Sequence, residues 1–524
     1  MVSWFGVCAR VRRAMGRGAR AVVLIAGCSD GGGDSAMGGP PGRVQTGPTV
    51  TTPPSGDNTT TPGTTTVPGG AVTGAGGAAA DDGVQAPPPA TDPGDTPPPV
   101  QTGMDCTDCW AYMGHGTSST FHNAEETTLS KDNVASLAPL WNHDMGGSAT
   151  GTPAVHDGVV YAASMGTLVA FEAATGSVIW SAPLNVPGSV TYDEGKLYVQ
   201  DTAGAVLRID AASAAVEWTA RVGSFGGFGT PLVVGDKVLV GASSGEENLV
   251  AENAMFRGSA VALDKASGQV VWQHFTADPP ANGAAIWSSP SADPELAMAF
   301  FTTGNNYTGV GGSQSDAIIA LDLHTGELLW SFQATPDDVY TTVNFGPGPD
   351  YDFGTNPILF EAGGQKLVGA GQKSGTFWTL DRMTGQLVWM HVVAPGCGIG
   401  GIFNNGAYDG QRIYVSSWPC AGGATLAALD PASGAVLWQT SMPSQSWAPI
   451  TVAGGVGFIP AQNVMQAFDL DNGNVLFSHT VTGSINSGAV VVDGRVFFGS
   501  GVPPLAGSFG SPMDDTMFHA LAVP

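Results

Sequence analysis

Five segments of the chain follow one pattern: VAFEAATGSVIW (169–180), VALDKASGQVVW (261–272), IALDLHTGELLW (319–330), WTLDRMTGQLVW (378–389) and AALDPASGAVLW (427–438). Each reads as a strand, an Asp-x-x-[TS]-Gly turn and a second strand ending in Trp. Looser copies are RIDAASAAVEW (208–218) and AFDLDNGNVLF (467–477). The pattern dictates a hairpin, because the apolar residues alternate along paired strands and the glycine supplies the positive φ of the turn. The closing Trp is placed to dock on the turn of the next unit.

The repeat ends fall at Trp141, Trp180, Trp218, Trp272, Trp330, Trp389, Trp438 and Phe477, spaced 38 to 59 residues apart. That period fits one four-stranded sheet per unit, with insertions in the middle units, and lacks the helical periodicity of a helical solenoid. Eight such sheets set radially make an all-β, eight-bladed β-propeller with tryptophan-docking repeats. The C-terminal MFHALAVP supplies an incomplete unit, so LAPLWNH near residue 140 is expected to complete the last sheet and close the ring. The longest insertions lie between Trp218 and Trp438, where function is expected to sit.

Upstream the chain changes character. Residues 1–28 carry five arginines, then the short apolar run Ala21–Ala26, and end at Gly27-Cys28, an export signal. LIAGC resembles a bacterial lipobox with Cys28 as the lipidated residue; an ordinary cleaved signal is the alternative. Residues 29–104 contain no Phe, Trp or Tyr and are rich in Gly, Pro and Thr, so they cannot bury a core and read as a disordered tether of roughly 50 Å. The domain proper is then 105–524, exported to the cell envelope as a periplasmic or outer-membrane lipoprotein that meets membrane only through its lipid. With 18 basic and 44 acidic residues the net charge is −26, which argues against nucleic acid as a partner. Cys106, Cys109, Cys397 and Cys420 suggest two disulfides, 106–109 and 397–420, in an oxidising compartment. CTDCW has Trp110 where a haem c site needs histidine, so no haem is expected on this chain.

With these repeats in place, the segments WSSPSADPELAMAFFTTGNNYT, GAGQKSGTFWTLDRMTGQLVW and the opening GHGTSSTFHNAEETTLSKDNVASLAPLW resemble the pyrroloquinoline quinone (PQQ) dependent alcohol dehydrogenases, and most nearly their polyvinyl-alcohol dehydrogenase branch. The resemblance covers about residues 110–524. It implies a quinone and a metal ion near the propeller axis. Trp287 matches the tryptophan that floors the quinone, and Asn305, eighteen residues on, matches a metal-binding asparagine. The metal's glutamate is expected in GASSGEENL, where counting from Gly241 favours Glu246 over Glu247. Lys373 matches a cation that reaches the quinone oxygens. Thr230 and Trp447 resemble quinone contacts, though strand-end packing explains either as well. The vicinal Cys-Cys pair that caps the quinone in many members is missing.

In GPGPDYDFGTNPILF, Asp350 aligns with the family's general base. Asp352, two residues on, would share its face if the stretch were a strand. A second carboxylate there is associated in relatives with a lanthanide; calcium is the expected ion and a lanthanide the alternative. The resemblance implies oxidation of an alcohol, a secondary or polymeric one on the polyvinyl-alcohol side, with electrons passed to a separate cytochrome c. A sugar dehydrogenase of the same cofactor class is a variant of this reading. A cofactor-free scaffold or binding propeller is the rival one, favoured by the missing Cys pair.

Overall fold

A computed structural model of the protein describes residues 109–226, 229–249, 253–343, 346, 348–398, 400–418, 423–502 and 515–524. The signal, Cys28, the tether, Cys106 and Cys420 lie outside them. Eight four-stranded antiparallel units follow one another along the chain; a short parallel strand, His122–Asn123, is added to the seventh, and Asn282–Gly283 pairs with Asn306–Thr308 in a separate two-stranded sheet. Blade 1 comprises Ala154–His156, Val159–Ala163, Met165–Glu172 and Val178–Asn185. Blades 2 to 7 begin at Thr191, Leu232, Ser291, Ile358, Ala407 and Thr451. Blade 8 takes Val490–Val492, Arg495–Gly499 and Met517–Ala522 from the C-terminus and Ala138–Asp144 from the N-terminus, the last pair antiparallel from Ala138–Ala522 to Asp144–Met517. LAPLWNH therefore closes the ring. No helix among the described residues is long and apolar enough to cross a membrane.

The tryptophan repeats work as interblade fasteners. Each indole N–H donates to the carbonyl of the residue after the turn acid in the next blade: Trp141 to Ala173, Trp180 to Ala211, Trp218 to Lys265, Trp272 to Leu323, Trp330 to Arg382, Trp389 to Pro431 and Trp438 to Leu470, at 2.8–3.2 Å. The turn glycine is needed twice over. Gly326 has φ +73°, and a Cβ there would lie 2.6 Å from the Trp272 ring. In the looser blade 2 copy Ala214 takes that turn at φ +60°.

Near the axis a second set of contacts runs blade to blade. The backbone N–H of Thr152 donates to Ser189 Oγ, Ser189 to Thr230 Oγ1, Thr230 to Ser289 Oγ, Ser289 to Asn356 Oδ1 and Asn356 to Asn405 Oδ1. Ile450 N then donates to Asn405 O, Thr451 Oγ1 to Ala489 O and Ser487 Oγ to Gly151 O, which carries the contacts through blades 7 and 8 back to the start. Small hydroxyl and amide side chains suit this position because the inner strands crowd there and each buried N–H needs an acceptor.

The segment before the first blade is laid across the blades in order. Trp110 pairs with Val155, Ala111 O accepts from Tyr192 N, Thr117 O from Ala292 N, Ser118 O from Leu359 N, Thr120 O from Tyr408 N and Phe121 O from Val452 N. Asn123 Nδ2 then donates to Val491 O. Seven of the eight blades are tied by one strand of chain.

Candidate acidic active site

Insertions in blades 3 to 6 converge on one buried lysine. Lys373 sits in the tight turn between the second and third strands of blade 5, where Gly375 N bonds Gln372 O. Its ammonium donates to Asp350 Oδ1 at 2.7 Å and to Asp352 Oδ2 at 2.8 Å, with all three side chains buried. The backbone adds a third tie, Lys373 N to Asp352 O at 3.0 Å. Asp352 is further committed, because its Oδ1 accepts the backbone N–H of Asn305 at 2.6 Å.

The two aspartates do not share a strand face. Residues 348–357 form a loop, strand structure starts at Ile358, and Asp350 lies in the left-handed region at φ +62°. Proline and glycine make alternation impossible here, and the positive φ turns the Asp350 carboxylate to the same lysine as Asp352. Asp338, from the same insertion, holds the loop by accepting the N–H groups of Asp350 at 3.3 Å and Tyr351 at 2.8 Å. Gly398 completes the wall: its Cα packs so closely on Asp350 that a Cβ would meet Oδ2 at 3.0 Å.

Glu247 brings the third carboxylate. Ligand oxygens of Glu247, Asp350 and Asp352 all lie within 4.8 Å of one another. Glu246, favoured by counting along the sequence, points elsewhere: its Oε2 caps the backbone N–H groups of Met255 at 2.6 Å and Phe256 at 2.8 Å. The reason is local. A single 3-10 turn over Glu246–Asn248 rotates successive side chains apart, so one acid anchors the insertion while the next enters the pocket. Thr342 fixes this turn by donating its N–H to Glu247 O at 3.0 Å.

Burial and mutual repulsion set the protonation. Burial first, then the charge of Asp352, pushes the Glu247 carboxyl up to about 7 against the pull of Lys373. Burial raises Asp350 to about 8, with Lys373 opposing and Asp352 and Glu247 adding to it. Lys373 moves above its ordinary value, since Asp352 and Asp350 outweigh its desolvation. Asp316, which the sequence reading did not single out, is buried with no hydrogen-bond partner for either oxygen among the described residues. Burial and Asp352 hold its carboxyl well above the usual range. Five acids thus face one ammonium, an arrangement that wants additional positive charge.

Asn305 is buried beside this cluster, its amide nitrogen donating to Asn306 O at 2.6 Å and Tyr340 O at 2.9 Å. Trp287 presents a part-exposed indole: Lys373 Nζ is 5.8 Å from its ring centre, and Gly354 packs so tightly on it that a Cβ would sit 2.0 Å from Cη2. Phe403, also missed from sequence, lies 5.5 Å from Trp287 and 4.8 Å from Trp447, which meets Trp418 at 5.6 Å. Trp447 therefore reaches the site through Phe403. Thr230 does not join the acidic cluster; its hydroxyl accepts Ser189 N in the axial circuit and lies 3.5 Å from Met113 Sδ. Cys109 and Cys397 are each disulfide-bonded.

Comparison with known proteins agrees with this architecture. A family model described as Outer membrane protein assembly factor BamB (PQQ_2) matches residues 130–288, 277–391 and 373–502. The polyvinylalcohol dehydrogenase of a Pseudomonas species is 29% identical over 366 residues, 61% of this chain and 56% of the relative. The chain thus spans about half the length of the curated relatives it matches. Among solved structures, the quinohemoprotein alcohol dehydrogenase of Comamonas testosteroni superimposes with a TM-score of 0.68 at 20% identity, over 79% of this chain and 80% of that one. A europium-containing methanol dehydrogenase gives 0.66 at 18%, over 80% and 98%. At these identities the structural likeness concerns the fold.

Proposed function

We propose that this chain, a member of the propeller family whose model is described as Outer membrane protein assembly factor BamB (PQQ_2), is a PQQ-dependent (quinoprotein) alcohol dehydrogenase on the side of the polyvinyl-alcohol dehydrogenase branch, and that its Lys373 pocket oxidises an alcohol to a carbonyl with PQQ and a multivalent cation. One observation carries the reading: a buried lysine bonded to two buried aspartates, with a third carboxylate within 4.8 Å and a part-exposed tryptophan beside it. A scaffold propeller has no use for such a cluster, because uncompensated buried carboxylates cost stability and are kept where chemistry needs them.

The residues fit both groups. Glu247, Asp350 and Asp352 with the Asn305 carbonyl oxygen form a hard oxygen donor set suited to calcium or a lanthanide. Both Asn305 amide hydrogens are directed at backbone carbonyls, which leaves the oxygen as the ligand end. Trp287 offers a flat face to a planar ring, and Lys373 a donor to its oxygens. When bound, PQQ supplies the two-electron acceptor and the cation the charge that polarises it. The chain's own part is proton transfer and positioning. Asp350 bonds Lys373 through Oδ1. Its carboxyl, raised to about 8 by burial, would be returned to the carboxylate by the positive charge of a bound cation, and its Oδ2 could then take the hydroxyl proton of the alcohol. Asp352 is locked by Asn305 N and Lys373 as an electrostatic and ligand group. Lys373 stays charged throughout and steadies the negative charge that develops.

The same reading includes a separate cytochrome c as electron acceptor, a basic one matching the net charge of −26, and anchorage in the envelope through Cys28, with disulfides 106–109 and 397–420. The test is reconstitution of the chain from residue 29 with PQQ plus calcium or lanthanum, followed by dye reduction with secondary alcohols and vinyl alcohol oligomers. Quinone binding and alcohol-dependent turnover are expected; failure to bind quinone with either ion overturns the proposal. Asp350→Asn is expected to lower turnover at least about a hundredfold with quinone still bound.

A further inference from the structure

The wall behind Asp350 is built from chain with few side chains to hold it. Residues 395–401 read PGCGIGG, four glycines in seven residues. Glycine loses more backbone freedom on ordering than any other residue and brings nothing to pack. The described residues of this stretch contribute to no strand or helix. Backbone bonds secure its two ends: Val393 N donates to Gly375 O at 2.9 Å, Ile402 N to Gln372 O at 3.0 Å, and Gly401 and Trp418 exchange N–H and carbonyl at 2.7 and 2.8 Å. Between those ends the described residues add one turn, Gly400 N to Cys397 O at 3.0 Å.

The loop nevertheless sits where small displacements reach the acidic pocket. Gly396 and Gly401 both press on Lys373 O, and Gly375 presses on Ala394 O, so close that a Cβ on any of the three would collide with backbone. The loop therefore grips the Gln372–Gly375 turn that carries Lys373. Gly398 packs on the Asp350 carboxylate, and Phe403, into which the loop leads, has its ring centre 5.8 Å from Lys373 Nζ. One covalent tie holds the middle of the loop: Cys397 is disulfide-bonded and part-exposed. A crosslink contributes most where the chain it fixes has much freedom to regain.

We propose that the Cys397 disulfide is a reducible latch on the acidic pocket. Closed, it makes the glycine loop hold Lys373 against Asp350 and Asp352; opened by a thiol, it releases the loop and weakens the pocket's hold on a cation. Cys397 is thus a positioning residue that makes the site answer to the redox state around it. The step balances as thiol–disulfide exchange: two equivalents of a small thiol give two electrons and two protons to the S–S bond, leaving two cysteine thiols and the disulfide of the small thiol. The effect on a cation rests on the dehydrogenase reading; the hold on the loop does not.

The test takes the full chain through a series of thiol-to-disulfide ratios, with no quinone and no turnover required. Peptide mass spectrometry reads the Cys397 thiol, hydrogen exchange reads the amides of 370–376 and 393–403, and calorimetry reads the affinity for calcium and lanthanum. Reduction is expected to speed exchange in both segments about tenfold or more while blade 1 residues 159–172 stay unchanged. Cation affinity should fall about tenfold, as when only about a tenth of the molecules keep the wall closed. Both changes should share the midpoint of the Cys397 thiol and reverse on reoxidation, and Cys397→Ser should show the opened state at every ratio. Exchange that ignores reduction, or that speeds equally in blade 1, would overturn the latch. So would a response that survives in Cys397→Ser, or a measured affinity equal in both states. Local loosening in a protein that binds neither ion in either state would uphold the latch and sink the dehydrogenase reading; tight binding in both states with exchange unchanged would do the reverse.

Discussion

At the level of single residues, the pocket is an unbalanced charge cluster, and its behaviour follows from which acids are paired. Asp350 and Glu247 have raised carboxyls, so the folded protein holds protons that the unfolded chain releases between about pH 4 and their folded values near 8 and 7. Their contribution to stability is therefore complete below about pH 4 and is lost as the pH rises through 7 to 8. Metal-free protein in chelator is expected to melt at a lower temperature at pH 8 than at pH 6, and calcium or lanthanum to restore it at pH 8; a melting point that rises with pH in chelator would contradict the cluster as described. The neighbouring glutamates separate cleanly. Glu247→Gln is expected to weaken cation binding about tenfold or more, about 1.4 kcal/mol, by calorimetric titration. Glu246→Gln should lower stability through its lost cap on Met255 and Phe256. The sequence could locate GEEN but not choose between its acids, because one 3-10 turn decides which side chain faces in. Lys373, Asp350, Asp352, Asn305 and Trp287 were legible because each sits in a segment resembling family motifs. Asp316, Asp338 and Phe403 were not, since their roles come from loops meeting across blades.

Among the elements, the hairpin repeat carries most of the interblade order, and here the sequence was nearly transparent. Every Trp read as a repeat end donates to the next blade, while Phe477, lacking an N–H, ends the blade that faces the chain termini. The weak copy shows the physics by exception. Ala214 holds φ +60°, a conformation costing an alanine about 1 kcal/mol, so Ala214→Gly is expected to leave stability unchanged or raise it by up to about 1 kcal/mol in urea unfolding. Gly326→Ala inverts the experiment. Its methyl would meet the Trp272 ring at 2.6 Å at a positive φ, and a loss of about 2–3 kcal/mol is expected. Loss of equal size at both positions would mean that the turn, not the docked ring, sets the cost. Less legible was the loop holding Asp350, where the two carboxylates meet one lysine not through the alternation of a strand but through a left-handed turn that alternation rules cannot foresee.

For the molecule as a whole, an eight-blade ring is only as stable as its closure, and closure here is supplied almost entirely from residues 110–144. That stretch does two separate things. Its first part ties seven blades by backbone bonds laid down in chain order, and its last part, Ala138–Asp144, is the outer strand of blade 8. The closing strand could be foreseen because the C-terminal unit is one strand short; the tie across the blades could not, since it runs through irregular backbone with no periodicity. The two roles make different predictions. Trp141→Ala removes one docked ring and its bond to Ala173 while keeping the strand, and should cost about 3–5 kcal/mol without changing the oligomeric state. A chain starting at residue 146 loses the strand itself and bares the edge of Met517–Ala522 along its full length. An unpaired edge of that kind pairs with whatever strand it meets, so this truncation is expected to aggregate or form dimers by size-exclusion chromatography. Adding the 109–145 peptide in trans should restore monomers if strand pairing is the cause. A truncated chain that stays monomeric and melts with the parent would show instead that the ring is held by its docked tryptophans and axial hydrogen bonds alone.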